Sequence, residues 1–197
     1  MPLIDRLVIL LLLVSLLVSC EQATNKQDLQ QDMPLVDFQN LTLNRDEATV
    51  YYQGQPFTGI GREFYRNGVL AAQTTFVNGK RQGLKQMWFL SGKLSFETHY
   101  LQNKPHGKTT SWWANGEVRS VSHYENGVLH GVQLQYYKSG ELFKRQQLVL
   151  GREDGMQQAW RRNGKLYINY EAKNGRTYGL RRAGLCLELS DEKIVSK

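Results

Sequence analysis

Apolar, aromatic and turn-forming positions recur along this chain every 24 residues. Six glycines mark the period with no insertion or deletion between them: Gly59, Gly83, Gly107, Gly131, Gly155 and Gly179. Five residues after each of the first five glycines stands an aromatic residue: Phe64, Trp88, Trp112, Tyr136 and Trp160. A fixed spacing of this size indicates tandem copies of one structural unit. Such arrays usually bind or brace other molecules, because stacked repeats present a long continuous surface.

Turn residues inside the repeat predict that each unit is a β-hairpin. A second glycine follows Asn or Ser nine residues after the first: Gly68, Gly92, Gly116, Gly140 and Gly164. A further turn, such as Asn126-Gly127, separates one unit from the next. Asn and Gly supply the positive φ angles of tight turns, and the segments between them are rich in β-forming residues. The pattern predicts an all-β fold, an elongated single-layer antiparallel meander of tandem 24-residue β-hairpins.

Side chains alternate between the two faces of a strand, so the repeat predicts one apolar and one polar face. The apolar face carries a buried aromatic spine of Trp88, Trp112, Tyr136 and Trp160. The opposite face is predicted to be polar, with one column formed by Lys85, Gln133, Gln157 and Arg181. A second aromatic row points away from the spine and includes Phe89, Trp113 and Tyr137. We expect this second row to be exposed and to bind a partner; an exposed groove along the spine is the alternative.

The repeat resembles that of the MORN family in its variant form, which has a 24-residue unit. The resemblance rests on segments such as GKTTSWWANGEV and GVQLQYYKSGEL and extends over about residues 49–180. The segment VYYQGQPFTGIGREFYRNG is similar to a first unit that opens with half a hairpin. Arg161 stands where the second aromatic residue is expected, and Gly184 stands where a sixth unit needs its aromatic residue. The last unit is therefore expected to be incomplete and to act as a cap.

The resemblance also implies a function, since proteins of this family are non-enzymatic binding modules. Relatives are catalogued as antitoxin-like, which implies an immunity protein that neutralises a toxin by covering it. The alternative is an envelope scaffold that contacts other proteins or anionic lipid, as the family name implies. The sequence contains none of the common nucleophile, phosphate-loop or metalloprotease motifs, and we expect no enzymatic activity and no cofactor.

The N-terminus has the pattern of an export signal. Leu7–Val18 is apolar apart from Ser15 and is shorter than the about 20 residues that a membrane-spanning helix needs. It follows Arg6 and leads into Leu17-Val18-Ser19-Cys20, which resembles a bacterial lipobox. The resemblance implies that Cys20 is acylated and anchors the chain in the bacterial cell envelope, on the periplasmic side of the outer membrane rather than in the inner membrane. An ordinary secretory signal or a short membrane anchor is the alternative.

These features predict five parts of the chain. They are a signal peptide over residues 1–19, a disordered tether over 20–40, an N-terminal half hairpin over 41–58, five repeats over 59–178 and a C-terminal cap over 179–197. The tether is rich in Gln, Asp and Asn and has little to bury. If Cys20 is lipidated, Cys186 has no cysteine partner; we expect a small buried residue there, with a reactive thiol or metal ligand as the alternative.

The net charge of the chain indicates which classes of partner to expect. The formal net charge is +7 and the sequence pI is about 9.4. Export argues against nucleic acid, which leaves a solvated basic surface or attraction to anionic lipid or an acidic protein. Arg161 and Arg162 lie where positive charge concentrates toward the C-terminal end. We expect them to assist Phe89, Trp113 and Tyr137 in holding a protein partner, such as a toxin.

The four histidines fall into two repeat columns and do not predict a metal site. His99 is one period from His123, and His106 is one period from His130. Equivalent residues in neighbouring hairpins are about 9–10 Å apart. Zinc binds imidazole nitrogen at about 2.0–2.1 Å, so one ion cannot bridge two equivalents.

The substitution Cys20→Ser tests the lipid anchor. We expect the full chain to incorporate a radiolabelled fatty acid in its bacterial host, and the variant to lose this label because the acylated thiol is gone. Labelling followed by electrophoresis of both proteins measures the effect. Equal labelling of the two chains contradicts the anchor.

Overall fold

The computed structural model describes residues 33–180. The predictions made for Cys20, the signal peptide, Arg181, Gly184 and Cys186 lie outside this range, as do most of the tether and of the cap. The described residues form a 3-10 helix, Phe38–Asn40, and sixteen strands. The strands are β1 Leu35–Asp37, β2 Thr42–Asn44, β3 Thr49–Tyr52, β4 Gln55–Pro56, β5 Gly59–Phe64, β6 Leu70–Val77, β7 Lys80–Trp88, β8 Leu94–Leu101, β9 Lys104–Trp112, β10 Val118–Glu125, β11 Val128–Leu129, β12 Gly131–Tyr136, β13 Leu142–Val149, β14 Arg152–Trp160, β15 Leu166–Lys173 and β16 Arg176–Leu180.

The predicted all-β meander of hairpins is confirmed. Strands β5 to β10 and β12 to β16 pair in chain order within one 13-stranded sheet. The five repeat hairpins are β5–β6, β7–β8, β9–β10, β12–β13 and β14–β15, numbered below from first to fifth. Two features differ from a simple antiparallel meander. Strand β1 joins the sheet edge parallel to β5, and β2, β3 and β4 form a separate three-stranded sheet. No helix within residues 33–180 is long and apolar enough to cross a bilayer.

Every hairpin has the same tip. In the third hairpin the backbone N–H of Trp113 donates to the carbonyl of Glu117 at 2.8 Å, and that of Gly116 donates to the carbonyl of Trp113 at 2.8 Å. The equivalent pair of hydrogen bonds closes each of the other four tips. Between hairpins the chain makes a second tight turn in which both central residues have positive φ, as at Asn126 (50°) and Gly127 (87°). Such turns match the right-handed twist of antiparallel strands.

From Gly83 to Gly155, the glycine that marks each period lies at a bulge in the sheet rather than at an ordinary strand position. Its φ is positive in every repeat, for example 77° at Gly131 and 98° at Gly155. Residues with a Cβ rarely adopt this conformation, and the strand pairing shifts register beside it. The shift leaves backbone carbonyls without a ladder partner. Glycine is therefore required here for backbone geometry, which explains why the spacing never varies.

Glutamine side chains satisfy the carbonyls that the bulge releases. The amide nitrogen of Gln133 donates to the carbonyls of His130 at 3.1 Å and Gly131 at 3.2 Å. The amide nitrogen of Gln157 donates to the carbonyls of Gln147 at 2.7 Å and Gly155 at 3.3 Å. Gln133 is only 5% exposed and Gln157 only 1% exposed. The face predicted to be polar is thus polar but buried at these two positions, because backbone carbonyls accept hydrogen bonds from both amide nitrogens.

Strand register defines the two faces of the large sheet, since paired residues share a face. The ladder face carries Lys85, Thr109, Gln133 and Gln157, with their cross-strand partners such as Thr98 and Gln146. The aromatic face carries Trp88, Trp112, Tyr136 and Trp160. These four rings are only half-buried, and Phe64 in the same column is 41% exposed. The prediction of a buried aromatic spine was wrong, because a ring resting on one sheet layer keeps its outer surface toward solvent.

The main apolar core lies at the N-terminal end of the sheet. Phe76 is 1% exposed and Phe57 is 3% exposed, and they pack with Val36 and Val50. The ring centroid of Phe76 lies 5.8 Å from that of Phe57 and 6.0 Å from that of Phe38. The segment before the first repeat thus builds a second layer, and this end of the fold is not single-layered.

Gly61 shows that this segment crosses the ladder face. A Cβ added at Gly61 would lie 3.1 Å from Leu41 Cδ1, 3.1 Å from Phe38 Cδ2 and 3.1 Å from Phe76 Cε2. The next four repeats carry Lys85, Thr109, Gln133 and Gln157 at this position. The first hairpin has glycine there because Phe38 and Leu41 occupy the space that a side chain fills in the other repeats.

Three residues of the second aromatic row link their hairpin to the next one. The hydroxyl of Tyr65 donates to the carbonyl of Trp88 at 2.7 Å, and that of Tyr137 donates to the carbonyl of Trp160 at 2.8 Å. The indole nitrogen of Trp113 donates to the carbonyl of Tyr136 at 3.2 Å. Phe89 holds the same position and has no donor. The expected free row is therefore half-buried, because its polar ring atoms fasten neighbouring hairpins together.

Replacing Gly61 by Gln tests the covering of the first hairpin. We expect a loss of about 1–3 kcal/mol in the free energy of unfolding, because the new side chain competes with Phe38 and Leu41 for filled space. Chemical denaturation measures it. The control is Lys85→Gln, which introduces the same side chain at the equivalent position one repeat further on and should cause no loss. Equal effects at both positions contradict the packing described here.

Exchanging Phe and Tyr in the second aromatic row tests the link between hairpins. Tyr137→Phe removes a donor and should lower the free energy of unfolding by about 1 kcal/mol. Phe89→Tyr places a hydroxyl near the carbonyl of Trp112 and should raise stability by up to about 1 kcal/mol. Thermal and chemical unfolding of both variants provide the measurement. A stabilising Tyr137→Phe, or a destabilising Phe89→Tyr, contradicts the role assigned to this row.

Candidate functional site

An open groove of about 540 Å³ runs along the ladder face of the third and fourth hairpins. Its floor is made of small polar side chains, with Ser111 and Ser120 paired across strands and their hydroxyl oxygens 2.6 Å apart. Aromatic residues form its sides, among them Trp113, Tyr124 and Phe143. The groove thus offers hydroxyl groups at its base and apolar rings around them, which suits a ligand with both polar and apolar groups.

Trp113 leads into a strip of aromatic and arginine side chains along the hairpin tips. We name this the tip strip; it consists of Trp113, Arg119, Tyr137, Phe143, Arg161, Arg162 and Tyr167. The guanidinium carbon of Arg119 lies 4.9 Å from the centre of the Trp113 ring, and that of Arg161 lies 5.8 Å from the centre of the Tyr167 ring. These distances allow cation–π attraction, so each arginine is held flat against a ring.

Tyr137 occupies the middle of the tip strip. Its ring centroid is 5.0 Å from that of Phe143, and the guanidinium carbon of Arg162 lies 5.6 Å from its centre. Burial raises the pKa of Tyr137, with Tyr167 adding to the increase and Arg162 opposing it. The hydroxyl therefore stays protonated at neutral pH and can keep its hydrogen bond to Trp160.

The carboxylate of Glu141 lies close to this strip. Hydrogen bonding from Ser139 lowers the pKa of Glu141, as do its own backbone N–H and the charge of Arg162. Glu141 thus carries its charge across the physiological range. The strip has three arginines, whereas the carboxylates of Glu141 and of Glu117, whose Oε2 is 3.5 Å from the Cβ position of Gly140, lie at the same tips, so the local balance is positive.

The structure brings together four of the five residues that the sequence predicted for partner binding. Trp113, Tyr137, Arg161 and Arg162 all belong to the tip strip. Phe89 lies at the tip of the second hairpin, is half-buried, and is not among the residues that line the groove. Whether these residues bind a partner stays a prediction.

Sequence reasoning missed Arg119, Phe143 and Tyr167. They occupy one repeat column, and in that column the pairing of each hairpin shifts register. In the third hairpin, Val118 pairs with Trp112 and Ser120 pairs with Ser111, so Arg119 is an extra residue between them. A count of simple alternation assigns such residues to the wrong side. The signal that could have found them is this extra residue in each returning strand.

The arrangement is suited to binding. The side chains of Ser122 and Gln135 line the groove and make no hydrogen bond to another residue between 33 and 180, which leaves a hydroxyl and an amide for a ligand. Within the same residues no group of three or more His, Cys, Asp or Glu side chains could hold a metal ion. His99 and His106 are direct cross-strand neighbours. The sequence argument compared only histidines one period apart and did not consider this pair.

Comparison with known families agrees with the hairpin geometry. The model of the MORN repeat variant family matches residues 57–78, 105–126 and 129–148. These segments fall on the first, third and fourth hairpins. No curated protein matches the sequence significantly. The resemblance inferred from the spacing of the glycines is confirmed in these three hairpins, which match the MORN repeat variant.

Proposed function

We propose that this chain is a non-enzymatic, protein-binding repeat module that holds its partner on the ladder face of the third to fifth hairpins. One observation carries the proposal. On the first hairpin the same face is already covered by a segment of the chain itself, whose Phe38 and Leu41 side chains lie against Gly61. On the third and fourth hairpins that face is an open groove.

The covered end provides a pattern for how a partner binds. There an edge strand pairs with β5, and the chain then turns so that apolar side chains rest on the ladder face. A partner segment with one or two large apolar side chains would use the open groove in the same way, with Trp113 and Phe143 as aromatic contacts. Tyr, Trp and Arg are the side chains that most often dominate binding at protein interfaces, and the tip strip consists almost entirely of these types.

The positive charge of the tip strip favours a partner with acidic residues beside its apolar ones. Arg119 and Arg162 are exposed, and Arg161 is half-buried. The whole chain carries a formal net charge of +7. Complementary charge accelerates encounter and fixes orientation more than it adds affinity. The arginines should therefore select the partner, and the aromatic rings should retain it.

More specifically, we propose that the module is an immunity protein of the bacterial envelope. A lipid anchor at Cys20 would place it where an exported toxin arrives, on the periplasmic side of the outer membrane. Covering the toxin's active site requires only a large rigid surface, which a sheet of hairpins supplies. The second candidate is an envelope scaffold that contacts anionic lipid, and the row of arginines in the tip strip is the observation that favours it.

Site-specific photo-crosslinking in the bacterial envelope tests the proposal. A photoreactive phenylalanine analogue replaces Gln135, which is exposed in the groove. The matched control places it at Lys108, which is equally exposed but lies on the aromatic face. We expect one discrete protein adduct from position 135 and none from position 108. Adding Arg119→Glu and Arg162→Glu should reduce the adduct at least tenfold, because the charge complementarity is reversed.

Each other outcome has a definite meaning. Adducts of the same size from both positions, or from position 108 alone, contradict binding through the ladder face. Crosslinking to lipid instead of protein at position 135 favours the scaffold. A protein adduct that survives the double charge reversal refutes the acidic partner and leaves binding to the aromatic groove.

A further inference from the structure

A second cavity, of about 440 Å³, lies between the β2–β3 turn and the first two hairpins. Much of its wall is apolar and comes from Phe38, Leu43, Val50 and Phe76. It is separate from the open groove of the third and fourth hairpins, and the two share no lining residue. Its volume falls within the range of about 300–1,000 Å³ that is common for small-molecule sites.

Three cationic side chains line the same cavity: Arg45, Arg81 and Lys85. Within residues 33–180 none of them takes part in an ion pair, and the two pairs present there join Arg62 to Asp37 and His130 to Glu125. The guanidinium of Arg81 lies over the ring of Tyr100, with its central carbon 4.9 Å from the ring centre. Lys85 is half-buried on the ladder face. Positive charge in a partly apolar cavity is costly without a counterion.

The electrostatics of Lys85 would favour a bound anion. Burial lowers the pKa of Lys85, and the charge of Arg81 lowers it further, while Glu63 opposes both. An anion seated between Lys85 and Arg81 would offset both effects. It would also accept charge-assisted hydrogen bonds from both side chains, which are the strong kind.

The wall formed by the β2–β3 turn is held in place. The ammonium of Lys80 donates to the carbonyls of Glu47 and Ala48 and to the hydroxyl of Thr49. The amide nitrogen of Asn103 donates to the carbonyl of Ala48 at 2.7 Å. Hydrogen bonds from two successive hairpins thus hold one turn in place, and the cavity is preformed. A preformed site loses little conformational entropy on binding.

We propose that this cavity binds a fatty carboxylate, with its head group between Lys85 and Arg81 and its unbranched tail against the exposed side chains of Phe38 and Leu43. The apolar wall and the uncompensated cations select for a ligand that has both a tail and a negative charge. Neutral lipids lack the charge, and inorganic anions lack the tail. This site rests on the proposed function and adds a small-molecule ligand to a module that holds a protein farther along the same ladder face.

Calorimetric titration with octanoate tests the site. The full chain is held in nanodiscs of zwitterionic lipid, and titrations of empty nanodiscs are subtracted. We expect saturable one-to-one binding, with hexanoate about tenfold weaker because two buried methylenes are lost. Octanol, which has the tail without the charge, should bind at least tenfold more weakly than octanoate.

Variants assign the binding to the cavity. Lys85→Gln should weaken octanoate at least tenfold, and Lys108→Gln, on the aromatic face of the next hairpin, should leave it unchanged. Arg81→Gln provides a second variant if Lys85→Gln fails to give the wild-type circular dichroism spectrum. The proposal is overturned by absence of saturable binding, by equal binding of octanol, or by no effect of either cavity variant. Octyl phosphate that binds more tightly than octanoate and depends on Lys85 would assign the cavity to a phosphate head group and overturn the carboxylate.

Discussion

A glycine with positive φ inside each hairpin is the constraint on which the whole sheet depends. Every other feature of the repeat is placed relative to it. The bulge at Gly131 or Gly155 shifts the strand pairing and releases backbone carbonyls. Buried Gln133 and Gln157 then satisfy these carbonyls with their side-chain amides. A residue with a Cβ would strain the backbone at each bulge, so the period of 24 residues is kept by geometry rather than by the identity of any surface side chain.

Much of the fold could be predicted from the sequence because turns are local. Asn126-Gly127 and the glycine of each hairpin tip are read from a few neighbouring residues, and the structure has the expected turns at these places. Burial could not be predicted in the same way. Alternation assigned Trp112 to a buried spine and Gln157 to a polar column, whereas Trp112 is only half-buried and Gln157 is almost fully buried. The bulge changes which backbone groups need hydrogen-bond partners, and counting alternate residues along a strand does not reveal it.

The candidate site could likewise be predicted only where it depends on residues close together in the sequence. Trp113 and Tyr137 were identified from their column, but their hydrogen bonds to the next hairpin depend on how hairpins pair. Arg119 and Phe143 reach the groove only because each returning strand carries one extra residue. The covering of Gly61 by Phe38 joins residues 23 positions apart. No spacing within the repeat encodes it, because the covering segment precedes the repeats.

The ladder face is thus covered by the chain itself at the first hairpin and open at the third and fourth hairpins. Hydroxyl-radical footprinting of the full chain tests this most directly, with the purified protein compared with the protein in its native envelope. Phe57 and Phe76 should be protected in both samples. Trp113, Tyr137 and Phe143 should react in the purified protein and become protected in the envelope, while Trp112 and Trp160 on the aromatic face keep their reactivity. Protection confined to Trp112 and Trp160 would contradict the ladder face as the binding surface.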